Sequence, residues 1–160
     1  MPAAFAYQGT SIFFDEGLGI DIVNDANAGL GPNGFGPNTN DGGTADDAYT
    51  GPNNLQNFPT ITSATTSSST KETTIGGFLD SVPNTAFTIR FYSNPRDTGE
   101  GKTFIGEIQV PTGADDTVQI DNFHPAKAVP VGQSITATAT DPNGNTSEFS
   151  GEPRSVKSAP

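Results

Sequence analysis

Ala86-Phe87-Thr88-Ile89-Arg90-Phe91-Tyr92 and Ser134-Ile135-Thr136-Ala137-Thr138-Ala139-Thr140 decide the fold class. In the first stretch Phe87, Ile89 and Phe91 fall on one side, and Thr88, Arg90 and Tyr92 on the other. In the second, Ile135, Ala137 and Ala139 alternate strictly with hydroxyl-bearing residues. Successive side chains of a β-strand point to opposite faces. A period of two carried by β-branched and aromatic residues therefore reads as strand rather than helix. Small inward residues on Ser134–Thr140, set opposite Phe87 and Phe91, would let two sheets approach to about 10 Å.

The same period recurs on either side, between turn signals. Thr60–Thr66 alternates weakly, and Thr73–Leu79 places Ile75 and Leu79 on one side. Thr103–Val110 is predicted to direct Phe104, Ile108 and Val110 inward, and Thr117–Phe123 to present Val118 and Ile120 after an Asp115-Asp116 turn. Thr146–Ser150 follows the turn Pro142-Asn143-Gly144-Asn145 and contributes Phe149. These seven short strands, with no convincing amphipathic helix, predict an all-β, immunoglobulin-like antiparallel sandwich over residues 59–152. Residues 153–160 read as a C-terminal tail.

Ahead of the sandwich, residues 24–58 are dense in Gly, Asn, Asp and Pro and hold too little apolar area for a core of their own. They read as a long acidic loop. Residues 1–23 contain two short apolar strands, Thr10–Phe14 and Leu18–Val23, separated by Asp15-Glu16-Gly17. They are expected to pair with an edge of the sandwich, with another copy of the chain, or with nothing.

The 160 residues carry 7 basic and 18 acidic side chains, a net charge of −11. Nucleic-acid affinity depends on Lys and Arg displacing counterions, so DNA and RNA are not expected partners. With no cysteine, disulfides, thiolate metal sites and cysteine nucleophiles are excluded. No apolar run approaches the roughly 20 residues that span a bilayer, so membrane insertion is not expected. The start, Met-Pro-Ala-Ala-Phe-Ala-Tyr, lacks the basic and apolar regions of a signal peptide.

A family resemblance rests on four stretches in order. They are Gly51-Pro52-Asn53-Asn54-Leu55-Gln56-Asn57-Phe58-Pro59, Phe91-Tyr92-Ser93-Asn94-Pro95, Gly99-Glu100-Gly101-Lys102-Thr103-Phe104-Ile105-Gly106, and Val131 through Ser150 with its Thr-Asp-Pro-Asn-Gly-Asn core. Together they resemble a β-sandwich module that follows right-handed parallel β-helix repeats in large bacterial secreted and surface proteins. Ser11–Ile22 is similar to the last β-helix rung of those proteins. The resemblance implies an extracellular or cell-surface setting and brings no catalytic residues. Many relatives carry a cysteine in the loop matching Asn94–Gly101, and this chain has none.

Candidate chemistry is sparse. His124, in Asn122-Phe123-His124-Pro125, is the one histidine, and no Gly-x-Ser-x-Gly elbow accompanies it. Asp46-Asp47 and Asp115-Asp116 are adjacent carboxylates in polar turns, without the opposed, buried geometry of glycosidase acids. No motif requires a cofactor. Calcium, which takes six to eight oxygen ligands, is the metal the residues would suit. One set is Asp21, Asp25, Asn40, Asp41, Asp46 and Asp47; a second is Asp141, Asn143, Asn145 and Glu148. Sugar binding would draw on Tyr49, Tyr92 and Arg90, with Tyr92 outward beside Arg90. The threonines at 136, 138 and 140 read as a solvated surface, and Thr66–Thr70 as a flexible hairpin loop.

The expected function is a non-catalytic structural or adhesive module, partnered by other domains of its own polypeptide. Two alternatives stand beside it: a self-assembling subunit that donates its N-terminal strand to another copy, and a carbohydrate-binding module of a secreted enzyme.

Overall fold

The computed structural model of the chain describes residues 19, 20, 22, 40, 52–95 and 98–160. Eight strands follow one another: β1 (Thr60–Ser67), β2 (Thr73–Asp80), β3 (Ala86–Asn94), β4 (Thr103–Pro111), β5 (Thr117–Phe123), β6 (Ser134–Thr140), β7 (Arg154–Ser155) and β8 (Lys157–Ala159). They form two four-stranded sheets, ordered β5-β2-β1-β8 and β4-β3-β6-β7. All pairs are antiparallel except β1–β8, which is parallel. The fold is an immunoglobulin-like β-sandwich, with no α-helix among the described residues.

The core lies between the sheets. Ile61, Ala64, Ile75, Leu79 and Ile120 come from one side, and Phe87, Ile89, Phe91, Ile135, Ala137 and Ala139 from the other. The alternation that predicted β3 and β6 therefore sets their inner faces. The pairing differs from expectation, because Phe91 and Ala137 are cross-strand partners within one sheet, as are Ile89 and Ala139. Large and small side chains alternate along a single layer instead of meeting across the core.

Two β-bulges redirect aromatic residues. On β4, Phe91 pairs with Gly106 but Tyr92 pairs with Phe104, which leaves Ile105 as an extra residue. Past the bulge the faces exchange. Ile105 packs against the core and Phe104, expected inside, stands 44% exposed. On β5, Gly77 pairs with Ile120 and Ile75 with Phe123, with one residue too many on β5 and Asn122 at φ 52°. The shift turns Phe123 inward, where its ring stacks on Phe91 at 4.2 Å between centroids and 12° between planes. Gly106 sits beneath that ring. A Cβ there would stand 2.7 Å from Phe123 Cζ, and φ is +144°.

The seventh predicted strand, Thr146–Ser150, pairs through its hydroxyls. Ser147 N–H donates to the Ala139 carbonyl and Ser147 Oγ accepts the Ala139 N–H, both at 2.9 Å. Ser150 does the same with Ala137, at 2.9 and 3.1 Å, and its hydroxyl also donates to the Pro59 carbonyl at 2.8 Å. The serines are three apart, a spacing that a regular period-two ladder cannot use in this way. The chain then continues past the expected tail. Arg154 and Ser155 pair with β6, Val156 is buried, and Lys157–Ala159 pair with β1. One short segment thus crosses from one sheet to the other. At the opposite end of the chain's path, Asn53, Asn54 and Leu55 form a left-handed turn (φ 52°, 50° and 48°) closed by the Gln56 N–H donating to the Asn53 carbonyl at 3.0 Å.

Gly106→Ala is expected to destabilise the chain by about 2–4 kcal/mol, combining backbone strain with displacement of the Phe123 ring. A lower urea midpoint at unchanged slope is the readout. In a Phe123→Leu background the steric part of that penalty should shrink, which a double-mutant cycle measures.

Candidate functional site

Glu148 lies between the two pairing serines, and its side chain is buried, at 2% exposure for the residue. A carboxylate removed from water needs hydrogen-bond donors. Glu148 Oε1 accepts the backbone N–H of Ile22 at 2.8 Å, across 126 residues of sequence. The glutamate considered as a calcium ligand therefore meets the Ile22 backbone. Asn40 makes a second tie of this kind. Its Oδ1 accepts the Phe58 N–H at 3.1 Å and its Nδ2 donates to the Phe58 carbonyl at 2.8 Å, so one side-chain amide stands in for a strand partner.

Asp141 is occupied by its own turn. One carboxylate oxygen accepts the N–H groups of Asn143 and Asn145, each at 2.8 Å, and the other accepts Asn145 Nδ2 at 2.7 Å. An aspartate that caps the backbone two residues on is turn chemistry that needs no ion. Among the described residues, no group of three or more His, Cys, Asp or Glu side chains is gathered to hold a metal. Asp21, Asp25, Asp41, Asp46, Asp47 and Tyr49 lie outside the described residues.

The outer face of β3 and β6 is covered rather than solvated. Tyr92 points outward with Thr88 and Arg90, as its alternation predicts, but is only 8% exposed. Phe104 and Phe149 pack edge-on against its ring, with centroids at 5.9 and 5.3 Å. Gly101 completes the cover, since any side chain there would overlap the Phe149 ring. Arg90 Nε donates to Glu107 Oε2 at 2.9 Å, a cross-strand ion pair. Neither sugar-binding candidate on β3 therefore stands free.

Thr136 and Thr138, expected in solvent, are buried as well. Asn94 explains the first. Its Nδ2 donates to the Glu100 carbonyl at 2.8 Å and to Thr136 Oγ1 at 3.2 Å, while its Oδ1 accepts the Lys102 N–H at 2.8 Å. Thr136 Oγ1 also donates to the Glu100 carbonyl. This buried amide fastens the loop after β3 onto β6. No sequence pattern marks Asn94 for that role, because its partners come from residues 100, 102 and 136.

Burial raises the Tyr92 phenol above its ordinary 10.0. The Arg90 charge and a hydrogen bond with Thr138 pull it back, and Glu107 adds to the rise. His124, the other titratable candidate, sits with Nδ1 3.1 Å from the Thr73 carbonyl and 3.4 Å from Thr74 Oγ1. A carbonyl only accepts, so that bond requires a proton on Nδ1. A protonated Nδ1 has no lone pair with which to activate the Thr74 hydroxyl.

No family model matches the chain, and no curated protein matches it.

The Tyr92 shift has a defined sign. Below pH 10 the phenol is neutral in both folded and unfolded chains and its contribution is complete. Above that, the unfolded phenol ionises first, so stability falls until the folded pKa is passed. Urea titrations between pH 8 and 11 should show this loss in the natural chain, and a shallower one in Tyr92→Phe.

Proposed function

We propose that the chain is a non-catalytic structural module of a bacterial extracellular or cell-surface protein, in which the sandwich holds the polypeptide that precedes it. The observation that carries this reading is the buried Glu148 carboxylate spent on the Ile22 amide. Truncating a buried acceptor strands a donor and is costly, so such a bond holds Ile22 against the sandwich. Asn40 on Phe58 acts in the same sense nearer the sandwich.

The other polar candidates support the reading by what they touch. Asp141 serves its own turn, His124 a backbone carbonyl, Arg90 a neighbouring carboxylate, and Tyr92 an aromatic cluster. The net charge of −11 suits a solvated surface, and the resemblance of residues 10–150 to modules of large bacterial exoproteins supplies the setting. Strand donation between copies would instead make the Ile22–Glu148 bond between chains, so that its protection would grow with protein concentration. Sugar recognition beside Tyr92 is left with Phe104 on β4, the one exposed ring of that aromatic group.

Amide exchange at Ile22 tests the proposal. Protection independent of protein concentration is expected in the natural chain, with a loss of about tenfold or more in Glu148→Ala, and retention of much of it in Glu148→Gln, which keeps an acceptor. An Ile22 amide that exchanges freely in the natural chain, or whose protection grows with concentration, would overturn it.

A further inference from the structure

The first and last strands of the sandwich run in the same direction. Thr65, Thr66 and Ser67 lie in parallel register with Lys157, Ser158 and Ala159. The pair is extended by the Ser68 N–H, which donates to the Ala159 carbonyl at 2.9 Å, and by the Ser67 hydroxyl, which donates to the Pro160 carbonyl at 3.0 Å.

Direction decides how such a pair responds to a pull. The chain comes in at the Thr60 end of β1, where Ser150 holds the Pro59 carbonyl and Asn57 Nδ2 donates to the Asp80 carbonyl at 3.0 Å. It goes out past Ala159, beside the turn that follows Ser67. Because the two strands are parallel, these points lie at opposite poles, separated by the length of β1, about 25 Å at roughly 3.3 Å per residue. Tension between the poles acts along the axes of both strands, in opposite senses. The hydrogen bonds between them lie across that axis, so sliding must strain them together. A pull applied at one pole instead peels them in succession.

The residues leading into β8 add to the hold. The Val156 N–H donates to the Gln133 carbonyl at 2.7 Å, the Val156 carbonyl accepts the Gly132 N–H at 3.0 Å, and Arg154 and Ser155 pair with Ile135 and Ser134. Val156 itself is buried in the core. A load on the last strand is therefore shared by both sheets.

We propose that the sandwich carries tension between its two poles, with the parallel β1–β8 pair as the element that bears it. This rests on the reading of the chain as a structural module and adds a mechanical task to it.

The absence of cysteine makes the test direct. Asn53→Cys with Pro160→Cys gives one pair of thiols for handles at opposite poles of the full chain. Glu72→Cys with Pro160→Cys gives a pair at one pole, since Glu72 lies in the hairpin beside Ala159. Forced unfolding reports the unfolding barrier along the pulled direction. The pole-to-pole rupture force is expected to exceed the same-pole force by about threefold at equal loading rate, because three register pairs share the load in the first case and are loaded in turn in the second. Ser68→Pro removes the N–H that reaches Ala159 and should lower the pole-to-pole force while Ile22 protection stays intact. If that variant loses its cooperative melt, Ser67→Ala, which removes the bond to Pro160, takes its place with the same expectation. Equal forces in the two geometries, or a pole-to-pole force untouched in a folded variant, overturn the proposal. Loss of Ile22 protection with the force ratio intact would sink the anchoring role alone.

Discussion

Phe123 lying flat on Phe91 is the contact on which closure of the two sheets depends along one flank. A sandwich excludes water across its faces but is open along its sides, where the edge strands of the two sheets do not hydrogen-bond to each other. Here those edges are β4 and β5. A ring reaching from β5 to β3 covers the gap. It can do so because a bulge on β5 turns Phe123 inward and a second on β4 places Gly106 where the ring must pass. The two irregularities form one device, since either alone would leave the ring facing solvent or lying against a side chain.

The other flank is closed by a different means. The chain between Arg154 and Ala159 leaves one sheet, buries Val156 and joins the other. What brings it there is the stretch from Thr146 to Ser150, which lies along β6 with serine hydroxyls completing the backbone pairing. Ser150 also reaches the Pro59 carbonyl, so the segment is tied to the residue just before β1. Without cysteines, the chain secures these crossings with hydroxyl and amide side chains buried against backbone. Each such group removed from water without a partner would cost about 1–3 kcal/mol, so these residues tolerate little change.

The same economy shapes the functional reading. Among the described residues, side chains that could meet a ligand are engaged with backbone: Asn94 in the loop after β3, Asp141 in the turn after β6, Asn40 on Phe58 and Glu148 on Ile22. The chemistry is that of fastening. The parallel register of β1 and β8 sets the start of β1 and the end of β8 at opposite poles of the sandwich.

Much of the fold was legible in the residues. The periods of β3 and β6 mark their inner faces, since alternation follows from strand geometry and needs no knowledge of the partner. Six of the seven predicted segments are strands for that reason. What sequence could not show is where alternation breaks. A bulge is a property of two strands in register, so the exchange of Phe104 for Ile105 and the inward turn of Phe123 appear only once β4 has met β3 and β5 has met β2. The same holds for the site. Glu148 and Asp141 share a polar, turn-rich neighbourhood in sequence, which suggested a common ligand. Tertiary structure separates them, because burial forces Glu148 onto a donor from residue 22 while Asp141 stays within reach of its own turn. Local periodicity determined the layers; pairing between distant segments decided which polar and aromatic groups remain available.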